Sequence, residues 1–422
     1  VLRTVYPAVD GEPHQSVLAV SDVELWHEPM TVTDETLPSS IAAEFGRSFD
    51  LETEPPLRAR LFRLGEDEHV LMLVLHHIAG DGSSIAPLVS DLSGAYTARC
   101  RGGAPGWEPL PVQYADYALW QRDWLGTEDD PHSVFAAQLD HWKTALAGLP
   151  EGLELPFDRP RPAVADYRGD SVGLEVPAGV HRGLAVLAGE RRASMFMVAH
   201  AALAVLLSRV GAGTDVPVGT PIAGRVDEAL EDLVGFFVNT LVLRTDVSGD
   251  PSFVELLDRV RQTDLDAYAH QDVPFERLVE VLNPPRTLSR HPLFQVMLSF
   301  QNAPWDMVEM DGLTVEQVPF DAAEEQFDLS VELTERFGPD GEPDGMTGEV
   351  HYRTDLFDRD TVRMLADAFG RLLARFAEAP QHPIGTAELL DDVERSVVLA
   401  DGRGVVRVVP GVSIPVRFGE RV

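Results

Sequence analysis

The chain has 422 residues, 44% of them hydrophobic, enough to bury a large core and to build two domain-sized lobes. Asp and Glu number 69 against 34 Lys and Arg, a formal charge of −35 that argues against nucleic acid or an anionic membrane as a partner. The single cysteine, Cys100, excludes an internal disulfide or a multi-cysteine zinc site, and no apolar run reads as a bilayer span, so a reducing cytoplasm is the expected location.

The opening "VLRTVYPAVDGEPHQSV" has no signal-peptide pattern and reads as chain already inside a fold. "HVLMLVL" (69–75) is an apolar strand, read as the most buried of the chain. A helix follows, with Ile85, Leu88, Val89, Leu92, Ala95 and Tyr96 on one face, Ser83 or Ser84 as cap and Pro87 in its tolerant first turn. "YADYALWQRDWL" (114–125) and "FAAQLDHWKTALAGL" (135–149) are two further helices around the acidic turn "GTEDDPHS", with Trp120 placed in the core. Pro150, Pro156, Pro160 and Pro162 then make the chain too proline-rich for helix or central strand, marking a lobe crossover. The second half is read as strands at 171–177, 236–247, 293–300, 313–320, 327–335 and 346–354. Helices are read at 194–210, 252–270, 275–282 and 359–378. The fold class is α/β, with an N-terminal lobe over 1–157, a C-terminal lobe over 158–395 and a linker over 396–422.

Two adjacent histidines close the 69–75 strand. Alternation puts His77 on the face of Leu71, Leu73 and Leu75 and His76 on that of Val70, Met72 and Val74, so the two cannot serve one site. One imidazole is expected to be structural and the other to meet a substrate at the strand's carboxyl end, where clefts form in α/β folds. Adjacent strand residues diverge, which disfavours a metal site. Asp81, between Gly80 and Gly82, reads as a turn residue whose carboxylate pairs with an arginine or caps local N–H groups, its glycine neighbours permitting positive φ.

"HHIAGDG" (76–82) resembles the HHxxxDG signature of condensation domains of nonribosomal peptide synthetases, relatives of chloramphenicol acetyltransferase. In family order it is joined by "YADYALWQ" (114–121), "VGTPIAGR" (218–225), "VGFFVNTLVLR" (234–244), "HQDVPFERLVE" (270–280) and "RTLSRHPLFQVML" (286–298), a set that covers residues 1 to about 395. The resemblance implies two chloramphenicol-acetyltransferase-like lobes in a V-shaped pseudo-dimer around a tunnel. Donor and acceptor carrier proteins would present thioesters there on 4′-phosphopantetheine arms, and the domain would have no cofactor of its own.

By the same resemblance the acceptor α-amine attacks the donor thioester carbonyl, with His77 catalytic, as general base or as a positioning group. His76, Asp81 and Gly82 support the site, and Asn239 and Gly82 line the tunnel. Asn239 could orient a carbonyl there or be a strand asparagine satisfied by backbone. "LPVQYADYALWQRDWLG" followed by "TEDDPHS" resembles the subtype that takes a D-terminated donor and an L-acceptor. "HQDVPFE" is read as architecture, and Ser194 lacks the elbow or base partner of a covalent acyl-enzyme.

The chain opens at "LRT" (Leu2–Thr4) within the family's RHExLRT segment, so the family's first strand and helix and the arginine that braces the signature aspartate would lie upstream. The substitute partner for Asp81 is sought among Arg3, Arg58 and Arg60. "SIPVRFGERV" (413–422) resembles the entry to an adenylation domain, expected downstream. The alternatives are an epimerization domain of the same superfamily, a soluble acyl-CoA transferase and a non-catalytic domain that docks carrier or partner proteins.

Overall fold

Two seven-residue strands, Leu57–Arg63 (β2), in which arginines interrupt the apolar residues, and the apolar His69–Leu75 (β3), pair antiparallel with Leu61 opposite Leu71. The short strand Met30–Thr31 (β1) adds in parallel to β2, giving the order β1-β2-β3. The computed structural model describes residues 1–25, 27–301, 310–318 and 324–402. The even-numbered face of β3 packs Val70 and Met72 against Phe62, Val32 and Ile41, the last on helix Leu37–Phe45 (α1). The other face is open: Leu71 and Leu73 are 48% and 37% exposed. β3 is therefore a half-buried edge strand rather than the most buried strand of the chain, because its sheet has three strands and its odd-numbered face turns to solvent.

Three helices complete the first half, Ile85–Cys100 (α2), Tyr114–Leu125 (α3) and Val134–Ala145 (α4). Tyr117 and Leu125 are the buried residues of α3, so Leu119, Trp120 and Trp124 point outward. Trp120, expected in the core, is 49% exposed and stacks on Trp124 at 5.8 Å between ring centroids. Helical spacing identifies a stripe, but not which stripe the neighbours cover.

The second half is built on strands Gly169–Val176 (β4), Asp215–Ile222 (β5), Asn239–Asp246 (β6), Val296–Phe300 (β7), Leu329–Phe337 (β8) and Pro343–Arg353 (β9). They form one sheet in the order β6-β5-β7-β8-β9-β4, parallel at β5/β7 and β7/β8 and antiparallel elsewhere. Helices Ala178–Arg191 (α5), Met195–Leu207 (α6), Phe253–Tyr268 (α7) and Arg359–Glu378 (α9) contribute to the main core, where Leu203, Val205, Leu257, Val260, Phe369 and Leu372 meet Val218, Val296, Leu298 and Leu333. Every residue of α6 except Phe196 is buried, and the stretch Met195–Ala212 is in fact long and apolar enough to cross a membrane. The expectation of no such run is corrected; 67% of the stretch is buried inside the protein, as in a central core helix.

A second core joins the two halves of the chain: Leu139, Trp142 and Leu146 pack with Leu241, Leu243, Ala267, Val273 and Phe294, beside helix Phe275–Leu282 (α8). Trp142 Nε1 donates to the His270 carbonyl at 2.7 Å, and Gln138 Nε2 donates to Asp272 at 2.7 Å. The strand expected at 313–320 does not form over its described residues, where Leu313 makes only an isolated bridge to Met310; 319 and 320 lie outside the described residues. The expected linker from 396 begins inside helix Asp392–Gly402 (α10), and the rest of it, with the adenylation-like "SIPVRFGERV", lies outside the described residues.

Candidate functional site

The signature begins where β3 stops. His76 is still extended, and its Nδ1 accepts from the Ile78 N–H at 3.1 Å, capping a single 3₁₀ turn, His77–Ala79. Its ring meets Phe49 edge-on at 5.7 Å. His77 points the other way, on the exposed side shared with Leu71 and Leu73, its ring edge-on to Phe236 at 5.1 Å. His77 Nδ1 lies 2.9 Å from the Gly80 carbonyl oxygen. A carbonyl only accepts, so Nδ1 carries the hydrogen, and in the neutral ring the Nε2 lone pair is left as an acceptor.

Asp81 is 6% exposed, and its carboxylate is taken up by protein donors. Oδ1 accepts from the Ser84 N–H at 3.0 Å, from Ser84 Oγ at 2.8 Å and from Arg225 Nη2 at 3.2 Å; Oδ2 accepts from the N–H groups of Phe237 and Val238 at 2.9 and 3.2 Å. The loop Val234–Val238 is thereby fastened to the histidine turn. Arg225 is held in turn by the Leu233 carbonyl at 2.8 Å and lies over the Phe237 ring at 4.2 Å.

The brace is therefore none of the three arginines nominated from the sequence. Arg3 donates to the Leu18 carbonyl, Arg60 pairs with Glu44 at 2.9 Å, and Arg58 donates to the Arg47 carbonyl and stacks over Phe49 at 3.9 Å. Arg225 closes "VGTPIAGR", a motif whose arginine carried no assigned role, and that was the available signal.

Ser84 occupies the N-cap of α2 but does not cap it. Its fully buried hydroxyl instead receives the Asp81 and Gly235 N–H groups at 3.2 and 3.1 Å and Arg225 Nη2 at 3.0 Å. Neither glycine adopts positive φ: Gly80 is extended at −173°, and Gly82 is not among the left-handed residues. Gly80 sits close to its neighbours, since a Cβ there would come within 2.4 Å of Leu75 Cδ2 and displace that side chain, whereas a Cβ at Gly82 would meet nothing. Tyr114 spans from α3 to the Phe236 carbonyl at 2.6 Å, and burial pushes its phenol up to about 12, which keeps it a donor.

Asn239, expected in the tunnel, has its amide taken up by backbone. Nδ2 donates to the carbonyls of Gln271 and Val273, both at 2.8 Å, while Oδ1 accepts from the N–H groups of Thr240 at 2.9 Å and Phe275 at 3.1 Å. A primary amide has two donors and two acceptor lone pairs, so none is left to orient a substrate carbonyl. Asn239 is the clamp that holds the "HQDVPFE" loop on β6, in line with reading that loop as architecture.

The Condensation domain family model matches residues 1–399. The chain is 48% identical over 417 residues to the dimodular nonribosomal peptide synthase of Bacillus subtilis (strain 168), covering 99% of this chain and 18% of that protein. It is 52% identical over 399 residues to the probable non-canonical nonribosomal peptide synthetase CymA of Salinispora arenicola (strain CNS-205), covering 94% and 5%. The chain thus spans less than a fifth of the length of these relatives. Among solved structures, the X-domain from teicoplanin biosynthesis, in complex with OxyB, superposes with a TM-score of 0.86 at 39% identity, covering 93% of this chain and 85% of that one. With an α/β architecture of the chloramphenicol-acetyltransferase-like kind and the HHxxxDG turn fastened to the Val234–Val238 loop, the chain belongs to the condensation domain family.

Proposed function

We propose that this domain forms a peptide bond between a donor thioester on one carrier protein and the α-amine of an aminoacyl thioester on another, each on a 4′-phosphopantetheine arm. The observation that carries the reading is the outward His77 ring, oriented by the Gly80 carbonyl so that Nε2 presents a lone pair. The amine attacks the thioester carbonyl, the tetrahedral species collapses, the donor thiol leaves, and the lengthened chain remains on the acceptor. Nε2 takes the proton that the amine nitrogen sheds as it bonds to the carbonyl carbon and passes it to the departing thiolate, or holds the amine in line; help of this kind is worth about 10²–10⁴-fold. A thioester is already activated, so much of the remaining rate comes from proximity. Open space beside Gly82 suits an approaching arm. The domain's place would be upstream of an adenylation domain, and its donor would end in a D-residue, as the Tyr114–Leu125 helix and the acidic turn after it suggest.

The experiment loads two carrier proteins with defined substrates and follows dipeptidyl-thioester by mass spectrometry; product dependent on His77 is expected. A second reading, a domain that recruits a partner protein, draws on the similarity to the X-domain found in complex with OxyB and on the outward Trp120 and Trp124. Absence of dipeptide with intact, fully loaded carriers would select that second reading.

A further inference from the structure

Away from the histidine turn, a cavity of about 330 Å³ opens between the segment that follows α4 and the segment that follows α8. Its lining is mixed: Leu146, Leu149, Pro284 and Leu293 give an apolar part, and it carries one arginine, Arg290, and one carboxylate, Glu151. Gln295, 2% exposed, ties the two segments together: Oε1 accepts from the Leu153 N–H at 3.0 Å and Nε2 donates to the His291 carbonyl at 3.2 Å. The site is therefore held open by a buried amide rather than by loop chance.

Arg290 is half-buried and makes no hydrogen bond or ion pair with any described residue, Glu151 included. Its guanidinium lies against Gly152, where a Cβ would come within 2.8 Å of Nη1, so the missing side chain makes its berth. In a chain of charge −35, where Arg161, Arg225 and Arg244 each pair with a carboxylate, the half-buried Arg290 guanidinium beside the cavity is left available to an anionic ligand group. The adjoining imidazole of His291 is held well below its usual value by burial and carries no charge at neutral pH, leaving Arg290 as the cation of the site.

We propose that this cavity binds a free apolar α-amino acid as its zwitterion, with Arg290 taking the carboxylate, Glu151 the ammonium, and Leu146, Leu149 and Pro284 the side chain. The fork of a guanidinium matches a carboxylate in bidentate fashion. A volume near the lower limit of ligand pockets suits a single residue rather than a peptide. The site shares no lining residue with the histidine turn, so the inference stands whether or not the domain condenses peptides.

The test is calorimetric titration of the intact protein with L-leucine, leucinamide and N-acetyl-leucine, the last two lacking in turn the carboxylate and the ammonium. L-Leucine is expected to bind, and each analogue to bind at least about tenfold more weakly, a difference of about 1.4 kcal/mol. Arg290→Gln is expected to weaken L-leucine at least about tenfold, with Arg290→Lys intermediate because it keeps the charge but not the fork. An unchanged melting curve for Arg290→Lys guards against loss of fold. No heat with L-leucine up to about 10 mM, or equal affinity of Arg290→Gln and wild type, overturns the site; equal affinity for N-acetyl-leucine overturns the zwitterion and the role of Glu151.

Discussion

Arg225 Nη2 sits 3.2 Å from Asp81 Oδ1, with the two side chains only 6% and 3% exposed, and this contact joins the histidine turn to a loop 144 residues further along the chain. Breaking one half of such a buried pair leaves the other charged and unpaired, at a cost of about 3–5 kcal/mol. Asp81→Ala and Arg225→Ala are each expected to lower the melting temperature together with activity. The double variant should lose less than the sum of the singles, because the two residues share one network. A folded, fully stable but inactive Asp81→Ala protein would implicate the carboxylate in chemistry instead.

His77 and His76 should separate in their effects. His77 is exposed and its ring is held by a single backbone contact, so His77→Ala should leave thermal stability near wild type while dipeptide formation falls by about 10²–10⁴-fold. His76 caps the 3₁₀ turn and packs on Phe49, so His76→Ala should cost on the order of 1 kcal/mol of stability as well as activity. Near-normal product from His77→Ala, with loss in a well-folded His76→Ala, would reverse the assignment.

The sequence carried the parts of the molecule that local periodicity writes down. Tyr114–Leu125, Phe275–Leu282 and Arg359–Glu378 follow from helical spacing, and the outward direction of His77 follows from strand alternation. Strand Asp215–Ile222 was not legible, because Pro217, Gly219 and Pro221 suppress a strand signal. The sheet tolerates them where β5 pairs with β7 at a single register position, Met297 with Gly219. Arg225 was not legible as the partner of Asp81 because the pair is formed across the fold, and no spacing encodes a contact 144 residues apart. Asn239 could be placed on a strand, but three of its four backbone bonds reach residues 271–275, which approach only once the loop before α8 has folded back.

That clamp makes Asn239 a stability residue. Asn239→Ala removes two donors and an acceptor, leaving the carbonyls of Gln271 and Val273 and the N–H of Phe275 without their partner. The expected loss is about 1–3 kcal/mol for each group that stays buried and unsatisfied. Amide exchange should accelerate in residues 271–275. Unchanged exchange there, with a selective fall in dipeptide yield, would return Asn239 to a substrate-facing role.

Acid sensitivity has an identifiable source in His291, walled by Phe275, Phe294 and Phe327 and pushed by burial from 6.5 to about 4. Its folded value lies below its unfolded value, so between those two pH values the unfolded chain binds the extra proton. The contribution is complete above about pH 6.5 and declines as pH falls toward about 4, by roughly 3 kcal/mol in all. His291→Phe should melt with a weaker dependence on pH between about 6.5 and 4.5 than wild type, whatever its absolute stability. Parallel slopes for the two proteins would remove His291 from the account.

Donor stereochemistry gives the last expectation. The Tyr114–Leu125 helix presents Tyr114 to the Phe236 carbonyl, and Phe236 in turn meets the His77 ring at 5.1 Å, so α3 is coupled to the site through one aromatic residue. Inverting the donor α-carbon exchanges side chain and hydrogen, and a wall shaped for one arrangement clashes with the other. A clash or a lost buried hydrogen bond discriminates strongly, whereas one methylene gives only about 1–3 kcal/mol. On the D-donor proposal, matched D- and L-terminated donors on the same carrier protein, offered with one L-acceptor under single-turnover conditions, should favour the D-donor. Phe236→Ala should narrow the preference more than it lowers the D-donor rate. Equal rates in the wild-type protein, or a preference for the L-donor, would sink the D-donor assignment and leave peptide-bond formation standing.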